Sequence, residues 1–322
     1  MQTRPNAVPQ KFLDPQITAD GSPRASVDLR ALETLWINTG TLCNLTCTRC
    51  YIESSPTNDR LTYISRAEVA VYLDEIRNLG LPTWEIGLTG GEPFMNPDVI
   101  EIMDDALSRG FEALVLTNAM TPLKHHRDAL LGLRERYGSA LTLRVSLDHY
   151  TEERHEEERG PFSWARTIDG LQWLAQNGFV LAVAGRALWH EDETAIRSGY
   201  AKLFSELEIP IDPFDTGHLV IFPEMDKAAL VPEITTACWD LLSVRPDAMM
   251  CATSRMVVKR KDAARPAVVS CTLLPYDTQF EIGRTLADAD KSVLMNHPHC
   301  ASFCVLGGGS CSAEKTVASI AV

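Results

Sequence analysis

Short β-rich runs alternate with helical periods through the middle of the chain, and this alternation limits the possible folds more than any other feature. Apolar and β-branched runs predict strands at residues 35–39, 84–89, 113–117, 141–147, 180–185 and 218–222. Apolar residues three and four positions apart predict helices between them, at residues 66–79, 97–108, 123–137, 164–177 and 193–207. Strands that alternate with helices form parallel β/α units, so we expect an α/β fold with either an open or a barrel-like sheet.

The number of units and the flanking segments suggest a division of the chain into three parts. A full (β/α)8 barrel needs eight units, and residues 33–225 provide six. A dinucleotide-binding sheet is disfavoured because no GxGxxG motif follows the first predicted strand. Residues 1–32 are predicted to be a loosely ordered N-terminal arm, and residues 226–322 a smaller, loop-rich module that contains six of the nine cysteines.

Composition excludes several classes of protein. The net charge of −13 argues against a free nucleic-acid-binding surface, because such surfaces are basic. The longest apolar runs, such as 179–185, are too short to span a bilayer, and the N-terminus lacks the apolar region of a secretory signal. Nine cysteines without an export signal indicate the reducing cytoplasm, where clustered cysteines more often bind metal or do chemistry than form disulfides.

Three cysteines follow the first predicted strand directly. Cys43, Cys47 and Cys50 have the spacing C-x3-C-x2-C, which allows three thiolates on one loop to reach a single metal centre. Three ligands leave one iron of a four-iron cluster without a protein ligand, and an open coordination position is typical of catalytic metal sites. A zinc site would need a fourth ligand, and none lies at the usual short spacing.

The cysteine triplet resembles the hallmark of the radical SAM superfamily, C-x3-C-x2-C on the loop after the first strand of a (β/α)6 partial TIM barrel. The resemblance implies a [4Fe–4S] cluster on Cys43, Cys47 and Cys50, with the amino and carboxylate groups of S-adenosylmethionine on the open iron. It implies an electron donor such as flavodoxin or ferredoxin. Many family members have an aromatic residue just before the third cysteine, whereas this chain has Arg49 there and Tyr51 after it.

Further candidates lie at the carboxyl ends of predicted strands, where β/α barrels place their functional residues. The resemblance implies that a Gly-Gly-Glu-Pro segment meets the amino group of S-adenosylmethionine, and its glycines allow the backbone to approach a ligand closely. It suggests a serine for the ribose or carboxylate, an arginine for the carboxylate and a phenylalanine for the adenine, while Asp148 contacts either the cofactor or the substrate. The candidate cofactor-binding residues are Gly90, Gly91, Glu92, Pro93, Asn118, Ser146, Asp148, Arg186 and Phe222.

The charged segment 152–159 separates two predicted β/α elements. Its composition predicts a solvated helix or loop face. We assign it no catalytic role.

The C-terminal module contains a second group of cysteines, and its spacing resembles the auxiliary-cluster extension of the SPASM or twitch type. The six cysteines after the predicted barrel do not reach the eight that two clusters need, so one auxiliary [4Fe–4S] cluster is expected. Alternatives are a zinc knuckle on the last three cysteines, or buried cysteines without metal. Four ligands are expected from Cys251, Cys271, Cys300, Cys304 and Cys311, and the fifth thiol is a candidate hydrogen-atom donor.

The resemblance implies an enzyme that cleaves S-adenosylmethionine reductively to a 5′-deoxyadenosyl radical. This radical abstracts hydrogen from a peptide or small-molecule substrate, with oxidation, cross-linking or epimerisation as the outcome. The segment before residue 35 is too short for a leader-recognition domain, which favours a small molecule or a leader-free peptide. The alternatives are a radical SAM methyl- or sulfur-transfer enzyme, and a zinc- or iron-binding protein without catalysis.

Overall fold

The computed structural model describes residues 10–225 and 230–309. Its strands are β1 (Ser26–Val27), β2 (Thr34–Asn38), β3 (Glu85–Thr89), β4 (Glu112–Thr117), β5 (Leu141–Ser146), β6 (Val180–Ala187), β7 (Leu219–Pro223), β8 (Ser254–Val258), β9 (Ala267–Val269), β10 (Glu281–Gly283) and β11 (Val293–Leu294). Its α-helices are α1 (Arg66–Asn78), α2 (Val99–Ser108), α3 (Thr121–Lys124), α4 (Arg127–Tyr137), α5 (Glu152–Arg159), α6 (Ser163–Gln176), α7 (Glu193–Glu206) and α8 (Cys238–Leu242).

The main sheet has the order β10-β9-β8-β2-β3-β4-β5-β6-β7. Strands β2 to β7 are consecutive, parallel neighbours, which confirms the predicted α/β fold of six β/α units. Parallel strands joined by helices bring all their carboxyl ends to one edge, so the loops after β2 to β7 meet at the same rim.

The helices cover the sheet because their apolar residues recur on one face. In α1, for example, Val69, Tyr72, Leu73 and Ile76 are all buried. Ser65 begins this helix with a capping box to Glu68, an arrangement that contributes about 1 kcal/mol to helix stability. The predicted helix at 123–137 is divided into α3 and α4, and the charged segment 152–159 forms α5.

The C-terminal part of the chain contributes strands to the main sheet. β8 pairs parallel to β2, and β9 pairs antiparallel to β8. Every residue of β2 is buried, and a buried strand needs hydrogen-bonding partners on both sides. Residues 230–309 therefore complete the sheet in addition to carrying the second cysteine group.

Residues 10–32 are packed against the C-terminal part, so the expectation of a loosely ordered arm is wrong for them. β1 pairs with β11, and Ala25 and Val27 are buried. Arg24 forms a buried ion pair with Glu233 at 2.6 Å. The partners of this segment are more than 200 positions away in the sequence, so local periodicity could not reveal them.

Helix length also bears on the expectation that the chain has no membrane span. Within residues 10–225 and 230–309, none of the helices is both long and apolar enough to cross a bilayer.

Candidate functional site

An open cavity lies at the carboxyl ends of the parallel strands, with about 850 Å³ of empty space that includes the solvent at its mouth. Glu92 and Pro93 are not among its lining residues. The predicted residues that line it are Cys43, Cys47, Cys50, Gly90, Gly91, Asn118, Ser146, Asp148, Arg186 and Phe222.

The three cysteines of the loop after β2 lie on one wall of this cavity. The backbone N–H of Leu45 donates to Cys43 Sγ, and that of Ser54 donates to Cys50 Sγ, each at 3.4 Å. Burial raises the pKa of the Cys43 thiol to about 12 and also raises that of Cys47. The Cys43 and Cys47 thiols are therefore neutral in the protein without metal. A bound metal cation would reverse this effect, because it deprotonates its thiol ligands.

Three thiols that line one cavity are the donor set of a multi-iron cluster, which takes each thiolate on a separate iron. Among the residues that the structure describes, no group of three His, Cys, Asp or Glu side chains is placed to hold a single metal ion.

Two glycines after β3 allow the chain to turn directly against the cysteine loop. Gly91 N–H donates to Gly40 O at 2.8 Å. A Cβ atom on Gly91 would lie 2.2 Å from Leu42 O. Gly90 has φ +141°, and a Cβ there would lie 2.4 Å from Gly40 O. Only glycine permits this approach, so the pair fixes the cysteine loop and leaves the cavity wall without side chains.

The Glu92 carboxylate lies behind the cavity wall. Thr117 Oγ1 donates to Glu92 Oε1 and Asn118 N–H donates to Glu92 Oε2, both at 2.8 Å. Phe94 N–H also donates to Oε1, at 3.2 Å. Burial outweighs these three donors and raises the pKa of Glu92 to about 7. Glu92 therefore orders the end of β4, and its contact with the ammonium group of a cofactor remains a prediction.

Asn118 connects the end of β4 to the cysteine loop. Its Nδ2 donates to Asn44 Oδ1 at 2.9 Å, and its Oδ1 accepts from Met120 N–H at 3.0 Å. Asn44 follows Cys43 directly, so this contact helps to place the first cysteine against the strand edge.

Charged side chains also line the cavity. Arg159 donates two hydrogen bonds to Asp148, at 2.7 and 3.0 Å, in bidentate geometry. Burial alone would raise the pKa of Asp148, but the Arg159 guanidinium holds it below the ordinary value. Glu158 is fully buried and forms ion pairs with Arg49 and with Arg186. Arg49 also lies 4.0 Å from Glu224, so the three arginines are balanced by three carboxylates.

Arg159 and Glu158 are site residues that the sequence analysis missed. Both come from α5, whose acidic composition predicted a solvated surface. In the structure His155 and Glu158, three positions apart, are both buried, and burial lowers the pKa of His155 to about 3. An inward face made of polar residues has no apolar period, so the sequence contained no signal for it.

The second cysteine group comes from three separate elements around one apolar cluster. Cys251 lies in the 3-10 turn before β8, Cys271 follows β9, and Cys300 and Cys304 lie in a π-helical turn, Cys300–Val305. Burial raises the pKa of Cys251 to about 11 and that of Cys300 to about 12. Cys311 lies outside the described residues.

A buried arginine accompanies this second group. The Arg255 guanidinium donates to the carbonyls of Ser254 at 2.8 Å and of Ala289 at 3.1 Å. Burial lowers the pKa of Arg255, and negative charge on Cys251, Asp290 or Cys271 counteracts this lowering. A buried cation is more stable beside a negative partner, which either the Asp290 carboxylate or ionised sulfur ligands can supply.

Two contacts connect the cysteine groups. Tyr276 Oη donates to Ile52 O at 2.7 Å, two positions beyond Cys50. Phe222, on the cavity, packs against Phe303 with ring centroids 5.6 Å apart. The C-terminal part therefore contacts both the first cysteine loop and the cavity.

A model of the radical SAM superfamily matches residues 37–192. This segment begins within β2 and contains the cysteine loop, the glycine pair and α5. The fold, the cysteine triplet and this match together show that the chain belongs to the radical SAM superfamily.

Individual relatives are similar over part of their length. The chain is 31% identical over 191 residues to the antilisterial bacteriocin subtilosin biosynthesis protein AlbA of Bacillus subtilis, covering 57% of this chain and 40% of that protein. It is 29% identical over 140 residues to the AdoMet-dependent heme synthase of Methanosarcina barkeri, covering 42% and 37%. The chain thus spans well under half the length of these curated relatives.

A solved structure shares the fold. Streptococcus suis SuiB bound to S-adenosylmethionine aligns with a TM-score of 0.56 and 12% identity, over 79% of this chain and 63% of SuiB. At this identity the likeness supports the fold alone.

Proposed function

We propose that the chain is a radical SAM enzyme that binds a [4Fe–4S] cluster through Cys43, Cys47 and Cys50 and S-adenosylmethionine in the adjoining cavity. The observation that carries the proposal is the meeting of these three thiols and the polar strand ends at one cavity. When bound, the cluster supplies the electron that splits the sulfonium of S-adenosylmethionine and so produces a radical able to abstract hydrogen from a substrate.

The side chains of the cavity have separate tasks in this proposal. The bare backbone of Gly90 and Gly91 leaves room for the amino-acid part of S-adenosylmethionine beside the cysteines. Arg186 and Arg159 bring positive charge to its carboxylate, and Ser146 offers a hydroxyl at the same rim. Phe222, half of an aromatic pair with Phe303, offers a flat apolar surface for the adenine.

We propose a peptide as the substrate. AlbA, a relative, is named for the biosynthesis of a bacteriocin, a peptide product. Oxidation, cross-linking or epimerisation would be the outcome. The similarity to a heme synthase favours a second candidate, a small molecule. Methyl transfer and sulfur transfer remain alternatives that the mass of the product would distinguish.

The C-terminal cysteines are proposed to hold one auxiliary [4Fe–4S] cluster. Cys251, Cys271, Cys300 and Cys304 border one apolar cluster, and the buried Arg255 lies beside two of them. We further propose that the enzyme works in the reducing cytoplasm and takes its electrons from a flavodoxin or a ferredoxin.

The test is anaerobic purification, followed by incubation with S-adenosylmethionine and dithionite. We expect a brown protein that releases 5′-deoxyadenosine, measured by mass spectrometry. Addition of candidate peptides, and in a parallel arm of small molecules, should raise this release for the true substrate class. A colourless protein that never cleaves S-adenosylmethionine would contradict the proposed function and favour a non-catalytic metal-binding protein.

A further inference from the structure

Glu158 contacts two elements that line the cavity, and the proposed function gives it no role. Its side chain is fully buried, with one carboxylate oxygen on the Arg49 guanidinium and the other 3.3 Å from Arg186 Nη1. Arg49 belongs to the cysteine loop and Arg186 to β6. One buried carboxylate thus connects the loop that carries the thiols to the end of β6.

Backbone contacts at the same place strengthen this connection. Thr48 N–H donates to Glu158 O at 2.8 Å, and Thr48 Oγ1 donates to Glu157 O at 3.2 Å. Arg186 Nη1 donates to Arg49 O at 3.2 Å. The residues just before Cys50 are therefore fixed by α5 and β6 together.

The cysteine loop needs such external contacts because it has no regular structure of its own. Between β2 and α1 the chain forms turns and isolated bridges, without a helix or a strand pair. Loops of this kind depend on side-chain contacts for their order. A buried ion pair that loses one partner becomes strongly destabilising, because an uncompensated charge remains in the interior.

We propose that Glu158 is the positioning residue of the cysteine loop, acting through Arg49 and Arg186. Arg49 occupies the position before the third cysteine, and its charge gives the loop a partner on α5 that an aromatic residue would not have. The inference rests on the proposed function in one respect: a cluster needs the three thiols to be presented together, and this is why the loop must be ordered. Glu158 itself touches neither thiol nor cofactor in this account.

The experiment compares Glu158→Gln and Arg49→Met with Glu53→Gln. Glu53 belongs to the same loop and pairs with Arg60, but that ion pair is about half exposed and should contribute little. Hydrogen exchange of residues 43–55 is measured on metal-free protein, and iron content on anaerobically purified protein. Glu158→Gln should speed loop exchange at least about tenfold, with a clear loss of iron, while Glu53→Gln matches the parent.

The two readouts separate this inference from the proposed function. If the parent binds no iron, the proposed function fails, yet exchange in the metal-free protein still tests Glu158. If both Glu158→Gln and Arg49→Met exchange like Glu53→Gln, the inference is wrong even in an active enzyme. Should Glu158→Gln unfold, Arg49→Met decides, because the Arg49 side chain is 43% exposed and Glu158 keeps its ion pair with Arg186. Glu158→Asp, which keeps the charge, should recover part of the iron content.

Discussion

The first cysteine group comes from one loop, whereas the second is collected from three elements that are distant in the sequence. Cys43, Cys47 and Cys50 lie within a span of eight residues on the loop after β2 and border an open cavity with charged side chains. Cys251 and Cys300 are almost fifty positions apart and lie in an apolar cluster. The first arrangement leaves room for an exchangeable ligand beside the sulfurs, and the second encloses its sulfurs in protein.

The comparison shows that the surroundings of a cysteine group determine which kind of metal site it can form. A catalytic metal site keeps an open position, while a structural or electron-transfer site is closed by the protein. The charged side chains of the two sites also differ: the first has Arg159 and Arg186 paired with carboxylates, and the second has Arg255 near Cys251 and Arg24 near Cys300, both buried. We therefore expect S-adenosylmethionine chemistry at the first group alone.

Replacing all three cysteines of the first group with alanine gives the largest expected effect. The protein should lose about four irons and all 5′-deoxyadenosine release, because no thiolate remains for the cluster. Iron and sulfide quantification under anaerobic conditions, together with mass spectrometry of the nucleoside, measures both. Cys238→Ala is the control, since this thiol does not belong to the loop after β2 and does not line the cavity. Unchanged iron in the triple variant would remove the distinction between the two regions.

The double variant Cys251→Ala with Cys300→Ala tests the second group. Relative to the parent, it should lose about four irons, those of the auxiliary cluster. Binding of S-adenosylmethionine, measured by calorimetry, should stay at the level of the parent. A parent protein with only about four irons in total would show that no auxiliary cluster exists. Equal loss of S-adenosylmethionine binding would mean that the closed group also shapes the cavity, through Tyr276 or Phe222.

Sequence alone located the first region well, because its information is local. The alternation of strands and helices predicted β2 to β7, and the spacing of Cys43, Cys47 and Cys50 predicted a metal centre on the loop after β2. The rule that parallel strands end at one rim then placed Asn118, Asp148 and Arg186 at the same site.

Long-range pairing and polar burial explain what the sequence did not reveal. On one side β2 pairs with β8, which is more than 200 positions away in the sequence. Residues 10–32 pack on elements that are equally distant. Glu158 and Arg159 belong to a helix whose composition is that of a surface, because their burial depends on ion pairs with Arg49, Arg186 and Asp148. Such pairs follow from the tertiary structure and leave no periodic trace.

Gly91→Ala is expected to have an intermediate effect, confined to the first region. The new Cβ would lie 2.2 Å from Leu42 O, so the cysteine loop must shift. We expect affinity for S-adenosylmethionine to fall at least about tenfold, with a lower melting temperature, since a backbone contact cannot yield as a side chain can. Gly132→Ala is the control: nothing lies within 4 Å of its Cβ, and alanine in the helix interior should slightly stabilise the protein. Equal behaviour of the two variants would contradict the close approach.

The last prediction concerns the carboxylate behind the first cavity, in the protein without metal. Burial raises the pKa of Glu92 from 4.5 in the unfolded chain to about 7, so the folded protein binds the extra proton between these values. Stability from this group is complete below about pH 4.5 and is lost as the pH rises to about 7, a change on the order of 3 kcal/mol. Glu92→Gln cannot titrate, so the free energy of unfolding of the parent should fall relative to that of the variant as the pH rises through this window. Urea denaturation of the metal-free proteins at about pH 5 and about pH 8 measures the difference, and a parent and variant that change in parallel would show that Glu92 is charged throughout.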